Sequence, residues 1–143
     1  MSILEGDNLQ IDGMCFACGP QNPHGLGMKI QYEEDHIACT LTLASHFQGW
    51  AGIAHGGVVA TMLDEVMAYA VIHFMGNGVT ASMELRYRAP VPLEKELAIR
   101  GWVDEQKGRM AVTRATVALA ETGQVLAEAS AKFLLSQNSA PEK

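Results

Sequence analysis

Two hydrophobic rhythms divide the chain. From His55 to Met75, HGGVVATMLDEVMAYAVIHFM, apolar residues recur at helical spacing, and Val59, Met62, Leu63, Val66, Met67, Ala70 and Phe74 share one broad face. The opposite side, with Thr61, Ala68, Ile72 and Met75, is scarcely more polar. A helix apolar nearly all round belongs in an interior, and about twenty residues give a rod of roughly 30 Å. Its carboxylates are the adjacent pair Asp64 and Glu65, near mid-span. Such a pair is costly in lipid, and no basic residues flank the segment, so the pattern predicts the buried central helix of a globular domain rather than a membrane span. Gly76-Asn77-Gly78 ends it.

Elsewhere the period is two. Residues 28–34 and 36–43 read as strands around a Glu34-Asp35 turn, with Ile37, Cys39, Leu41 and Leu43 alternating with Ala38, Thr40 and Thr42. Over 79–88, Val79, Ala81, Met83, Leu85 and Tyr87 fall on one face, and Thr80, Ser82, Glu84, Arg86 and Arg88 on the other, until Ala89-Pro90-Val91-Pro92 breaks the strand. Residues 96–104 form another strand with Leu97, Ile99 and Val103 inward. Segments 109–120 and 124–135 are alanine-rich enough to pass for helices. The Lys107-Gly108 and Thr122-Gly123 turns assign them to paired strands. Two strands, one long helix and four sequential strands predict an α+β fold, an antiparallel sheet curled around a single helix. No linker or repeat divides it, so 1–143 is one domain, with 1–13 an N-terminal arm and 136–143 a flexible tail. The outer sheet face is then solvated or paired with a second subunit.

Composition narrows the function. Hydrophobic residues make up 48% of the chain, enough for a core and too many for disorder. The formal charge of −6 is unevenly placed: eight acids and one base (Lys29) lie in residues 1–72, against eight acids and nine bases in 73–143. No basic stripe exists to bind nucleic acid. A small anionic ligand fits if Arg86, Arg88, Lys107, Arg109 or Arg114 gather around it. Three cysteines are an odd count for a disulfide framework, and the opening MSILEGDNLQIDGM lacks the regions of a signal peptide. A reducing, cytoplasmic setting is expected. Cys15-x-x-Cys18 has zinc-like spacing, but a closed structural site needs four ligands and only His24 stands nearby as a third. The segment CFACGPQNPHGLGM is therefore read as a rigid, reduced loop without metal.

The chemistry gathers at the helix start. Gly56 and Gly57 let a ligand approach the backbone, and the unpaired first-turn N–H groups with the helix dipole make a ready oxyanion hole. Asp64 is a candidate functional acid, since a carboxylate within a core is costly without a use. Glu65 points about 100° away and reads as an exposed or salt-bridged neighbour. Eight residues of helix separate Gly56 from Asp64 by about 12 Å, too far to share one carbonyl. The two meet only if a second copy brings its own acid alongside.

His55-Gly56-Gly57 followed by Asp64, within GWAGIAHGGVVATMLDE, then GVTASMELRYRAPVP, and before them Cys-x-x-Cys-Gly with Asn22 and Gly25-Leu26, resemble the hotdog-fold thioesterases of the phenylacetate-pathway (PaaI-like) type. The likeness runs from about Cys15 to Leu135. It implies an acyl-CoA thioesterase that releases a free acid and coenzyme A, with coenzyme A as part of the substrate and no cofactor. By that resemblance Asp64 is the nucleophile or general base, Gly56 the backbone donor from the opposite subunit, and His55 a positioning group. Thr80 matches a hydroxyl near the acid. An amide six positions before the histidine is replaced by Gly49, and Gln48 is the nearest substitute. Gly57, Trp50 and Phe47 are candidates for substrate contact, and Arg86, Arg88, Lys107 or Arg109 for the coenzyme A phosphates. Homodimers, often paired into homotetramers, are implied. A non-catalytic acyl-CoA-binding hotdog protein and a hotdog dehydratase or hydratase are the alternatives.

Overall fold

The helical segment forms as the spacing requires. In the structure, a computed structural model that describes residues 11–136, it is α1, Gly56–Phe74. Val59, Met62, Leu63, Val66, Met67, Ala70 and Val71 are buried; Val71 joins the expected set, while Phe74 is only partly buried. His55 caps the start, its Nδ1 accepting the Gly57 N–H at 2.9 Å. At the other end the amides of Met75 and Gly76 both return to Val71 O, at 2.7 and 2.9 Å. Among the described residues α1 alone is long and apolar enough to cross a membrane, and it lies instead against a sheet.

That sheet has six antiparallel strands: β1 (Gln31–Tyr32), β2 (Ile37–Thr42), β3 (Gly78–Tyr87), β4 (Glu96–Lys107), β5 (Met110–Leu119) and β6 (Val125–Leu135). Their order is β1-β2-β4-β5-β6-β3. The alanine content of β5 and β6 has a packing reason. Gly101, Ala115 and Ala129 lie side by side on β4, β5 and β6, and α1 rests close above this row. A Cβ added at Gly101 would sit 2.7 Å from the backbone C and O of Val66. Ala111, Ala127 and Ala131 are buried around it. Small side chains thus set the helix-to-sheet distance, and the larger Leu97, Ile99, Val117 and Phe133 fill the remaining space.

Three expectations need correcting. The first strand shrinks from 28–34 to two residues, because Met28 is buried and gives its amide to Ala17 O, at 2.9 Å, in the preceding loop. The fourth strand continues past 104 to Lys107. Strict alternation in β3 fails at a bulge: Val79 pairs with Leu134 and Thr80 with Phe133, but the next pair is Ser82 with Lys132. One extra residue shifts the faces, so Thr80 shares the inward side of Phe133 rather than the outward side of Ser82. β3 is also the last strand of the sheet, with no strand on its outer edge among the described residues. The expected arm at 1–13 and tail at 136–143 lie almost wholly outside the described residues; Ser136 is buried and donates its amide to Asn77 O.

The loop over residues 13–28 covers another flank of α1, which is why that helix is apolar on more than one side. Ala17, Leu26 and Met28 enter the core, and Tyr32 lies edge-on to Tyr69. The loop is closed by Leu26 N–H to Phe16 O at 2.7 Å and by Asn22, whose Nδ2 donates to Met14 O at 3.1 Å.

Candidate active site

The bulge in β3 decides what Asp64 meets. With Thr80 turned inward, its hydroxyl donates to Asp64 Oδ1 at 2.8 Å. Asp64 is half-buried on the flank of α1 nearest β3, not enclosed in the core as its place in the helix suggested. Its second oxygen makes no hydrogen bond among the described residues. A carboxylate with one oxygen anchored and the other open suits attack on a carbonyl or proton abstraction from water.

The helix start presents one open amide. Gly57 N–H is taken by the His55 ring, but Gly56 N–H makes no hydrogen bond among the described residues. The Gly56 carbonyl is fixed by the Tyr87 hydroxyl, which donates to it at 2.8 Å. β3 therefore steadies both features, Thr80 at the acid and Tyr87 at the helix start. Tyr87 was not singled out from the sequence; its place as the last residue of the Val79 face before the Pro90 break was the available signal.

The preceding loop is held tightly. His55 N–H donates to Phe47 O at 2.9 Å, and the Gln48 side chain accepts the Gly52 amide at 3.1 Å. Gln48 is thus turned to its own loop in this chain. At Gly49 a Cβ would lie 3.0 Å from His55 Cα, so a side chain there would press on the capping histidine. Phe47 is half-buried, its ring 4.1 Å from that of His46. Trp50, 83% exposed, stands at one end of a groove of about 620 Å³ that also takes in Ile53, Gly56, Gly57, Tyr87 and Arg88.

The candidate cations separate. Arg88 borders that groove and pairs with Glu128 at 2.6 Å, holding the Glu128 carboxyl below its ordinary pKa. Arg86 lines a different cleft of about 590 Å³, on the outer sheet face with Trp102 and Arg114. Lys107 and Arg109 sit at the β4–β5 turn, beside the Leu135 end of β6, whereas Arg88 binds Leu126 at its other end. Gathering all four around one ligand is therefore not what the fold does within one chain. Nor does His24 join the thiols: it is exposed and its amide is held by Asn22. The side chain that does approach them is Glu65, half-buried under the loop rather than exposed or ion-paired.

Comparison with known proteins agrees with this architecture. The model of the Thioesterase superfamily matches residues 51–127, and the chain belongs to that family. It is 27% identical over 101 residues to the acyl-coenzyme A thioesterase THEM4 of Xenopus laevis, covering 71% of this chain and 46% of that one. The chain thus spans about half the length of that relative. Among solved structures, a thioesterase superfamily protein has a TM-score of 0.80 at 29% identity, over 85% of this chain and 60% of its own. A Streptococcus mutans protein bound to acetyl CoA has 0.72 at 21% identity, over 80% and 91%. The Escherichia coli PaaI protein, from the phenylacetic acid degradation operon, has 0.71 at 19% identity, over 76% and 83%. One helix against an antiparallel sheet is the hotdog arrangement these proteins share.

Proposed function

We propose that this chain is an acyl-CoA thioesterase. The observation that carries the reading is the pairing of an anchored, half-open carboxylate with an open helix-start amide on the same helix. Asp64 activates water, or attacks directly, at the thioester carbonyl carbon. The carbonyl oxygen takes on negative charge and is met by Gly56 N–H and the helix dipole. Collapse of the tetrahedral intermediate breaks the C–S bond, and the proton taken by Asp64 passes to the departing coenzyme A sulfur. In the direct path Asp64 carries no proton: coenzyme A leaves as the thiolate while a mixed anhydride forms, and the water that then cleaves the anhydride supplies the proton to the sulfur. His55 holds the helix start in shape through the Gly57 amide. Neither path needs a metal.

The 12 Å or so between Gly56 and Asp64 calls for two copies, with the amide of one facing the acid of the other. The uncovered edge of β3, carrying Thr80 and Tyr87, supports pairing there as a homodimer or a dimer of dimers. Trp50, Phe47 and Gly57 would face the acyl end of the substrate, and Arg88 is the cation best placed for a coenzyme A phosphate. A cytoplasmic location fits the three free cysteines, Cys15, Cys18 and Cys39.

The test is thiol release from a panel of acyl-CoAs with wild type and Asp64→Asn. Turnover in wild type, lost in a folded Asp64→Asn protein, is expected. Tight acyl-CoA binding without turnover on any thioester would replace the reading with a binding module, and water addition to an enoyl-CoA without thiol release would replace it with a hydratase.

A further inference from the structure

The loop over α1 brings two thiols and a carboxylate to one point. Cys15 Sγ lies 3.6 Å from Glu65 Oε2, and the two sulfurs and a Glu65 oxygen all lie within 4.8 Å of one another. Tyr69, one helical turn beyond Glu65, places its hydroxyl 3.1 Å from Cys18 Sγ. The loop is shaped to hold this geometry. Gly19 N–H closes on Cys15 O at 2.7 Å, and a Cβ at Gly19 would come within 2.4 Å of Cys15 N. Only glycine after Cys18 lets the turn fold back so tightly. Asn22 braces it from below through Met14 O and the His24 amide.

The spacing is that of metal ligands. Around a tetrahedral zinc, with bonds of about 2.3 Å to sulfur and about 2.0 Å to oxygen, a sulfur and an oxygen lie about 3.5 Å apart and two sulfurs about 3.8 Å apart. The Cys15–Glu65 separation already meets the first value. We infer that Cys15, Cys18 and Glu65 bind a thiophilic divalent cation of the zinc class, clamping the N-terminal loop to the middle of α1. The Tyr69 hydroxyl or a water takes the fourth position. Cys15 is exposed and leaves a way in. Counting ligands along the sequence misses the site because its third ligand is fifty positions from Cys15. A Cys15–Cys18 disulfide would use the thiols but leave the approach of Glu65 without a purpose.

The test is a cobalt(II) titration of the reduced protein, followed by displacement with zinc. A near-ultraviolet sulfur-to-cobalt band and tetrahedral visible bands should appear, saturate at one equivalent per chain and vanish as zinc enters. Glu65→Gln should weaken zinc binding roughly tenfold or more, and the Cys15→Ser/Cys18→Ser variant should abolish the bands. Should that double variant fold poorly, alkylation of wild type decides: zinc should protect both Cys15 and Cys18 from iodoacetamide, read by mass spectrometry. No sulfur-to-cobalt band in reduced protein, no protection, or undiminished affinity in Glu65→Gln would overturn the site. So would a protein that forms the disulfide in air and ignores cobalt when reduced. None of these readouts depends on thioester hydrolysis, so the failure of one reading leaves the other standing.

Discussion

Asp64 and Glu65 are consecutive in the chain and chemically alike, yet the fold gives them different surroundings. Rotation of about 100° per residue turns one toward β3 and the other beneath the N-terminal loop. Asp64 meets a hydroxyl that anchors one oxygen and leaves the other open. Glu65 meets two thiols. The difference lies wholly in what packs on each flank, so a carboxylate's role here follows from its neighbours and not from its type.

The largest expected effect separates the two acids directly. Asp64→Asn keeps shape and hydrogen bonding but removes the proposed base or nucleophile, and should lower kcat by roughly a hundred- to ten-thousand-fold. Glu65→Gln should stay within about tenfold of wild type, since its carboxylate lies under the loop. Equal losses in both, measured as thiol release from the same acyl-CoA, would mean that the two flanks do not divide the labour as described.

Next comes the group that makes the Asp64 flank what it is. Thr80→Val preserves volume and β-branching but removes the donor to Asp64 Oδ1. A hydrogen bond to a charged group contributes about 1.5–3 kcal/mol, so kcat should fall roughly tenfold to a hundredfold, with Thr80→Ser restoring most of it. Unchanged kcat in Thr80→Val would show that Asp64 is held by something else during turnover.

How much of this the sequence could yield follows from range. The limits of α1 were legible to within a residue because capping and helical period are local, and β2, β5 and β6 followed from alternation and turn glycines. The positions of Asp64 and of His55-Gly56 on that helix were legible for the same reason, and the joint role proposed for them comes from resemblance. The inward turn of Thr80 was hidden, because a bulge shifts a strand's faces without changing its composition. The setting of Glu65 was hidden too, since the covering loop lies fifty positions earlier. Nor did periodicity explain why β5 and β6 are rich in alanine; that depends on the helix lying over Gly101.

Both flanks move together if α1 moves, and Gly101 tests that. Gly101→Ala places a methyl group against Val66 backbone atoms that are fixed by the helix. Overpacking of this kind costs about 1–3 kcal/mol, which denaturant unfolding should register as a lowered midpoint. A helix lifted from the sheet should also lengthen the Thr80–Asp64 bond and reduce kcat in the folded fraction. Stability unchanged from wild type would mean that the sheet yields where the close approach says it cannot.

The smallest effect lies at the far end of β3. Arg88 lowers the pKa of Glu128, so their pair contributes stability that is present above the ordinary carboxylate value and is lost as pH falls through the lowered one. Both groups are exposed, so the contribution is slight. Thermal midpoints of wild type and Glu128→Gln should differ most near neutrality and begin to converge only below the ordinary carboxylate value of about 4.3. The same substitution frees Arg88 at the rim of the groove, where a coenzyme A phosphate would be its next partner. KM for acyl-CoA should then fall modestly in Glu128→Gln and rise in Arg88→Ala, with kcat little changed in either. If both variants leave KM alone, the groove beside Gly56 takes the acyl end only, and the phosphates bind elsewhere.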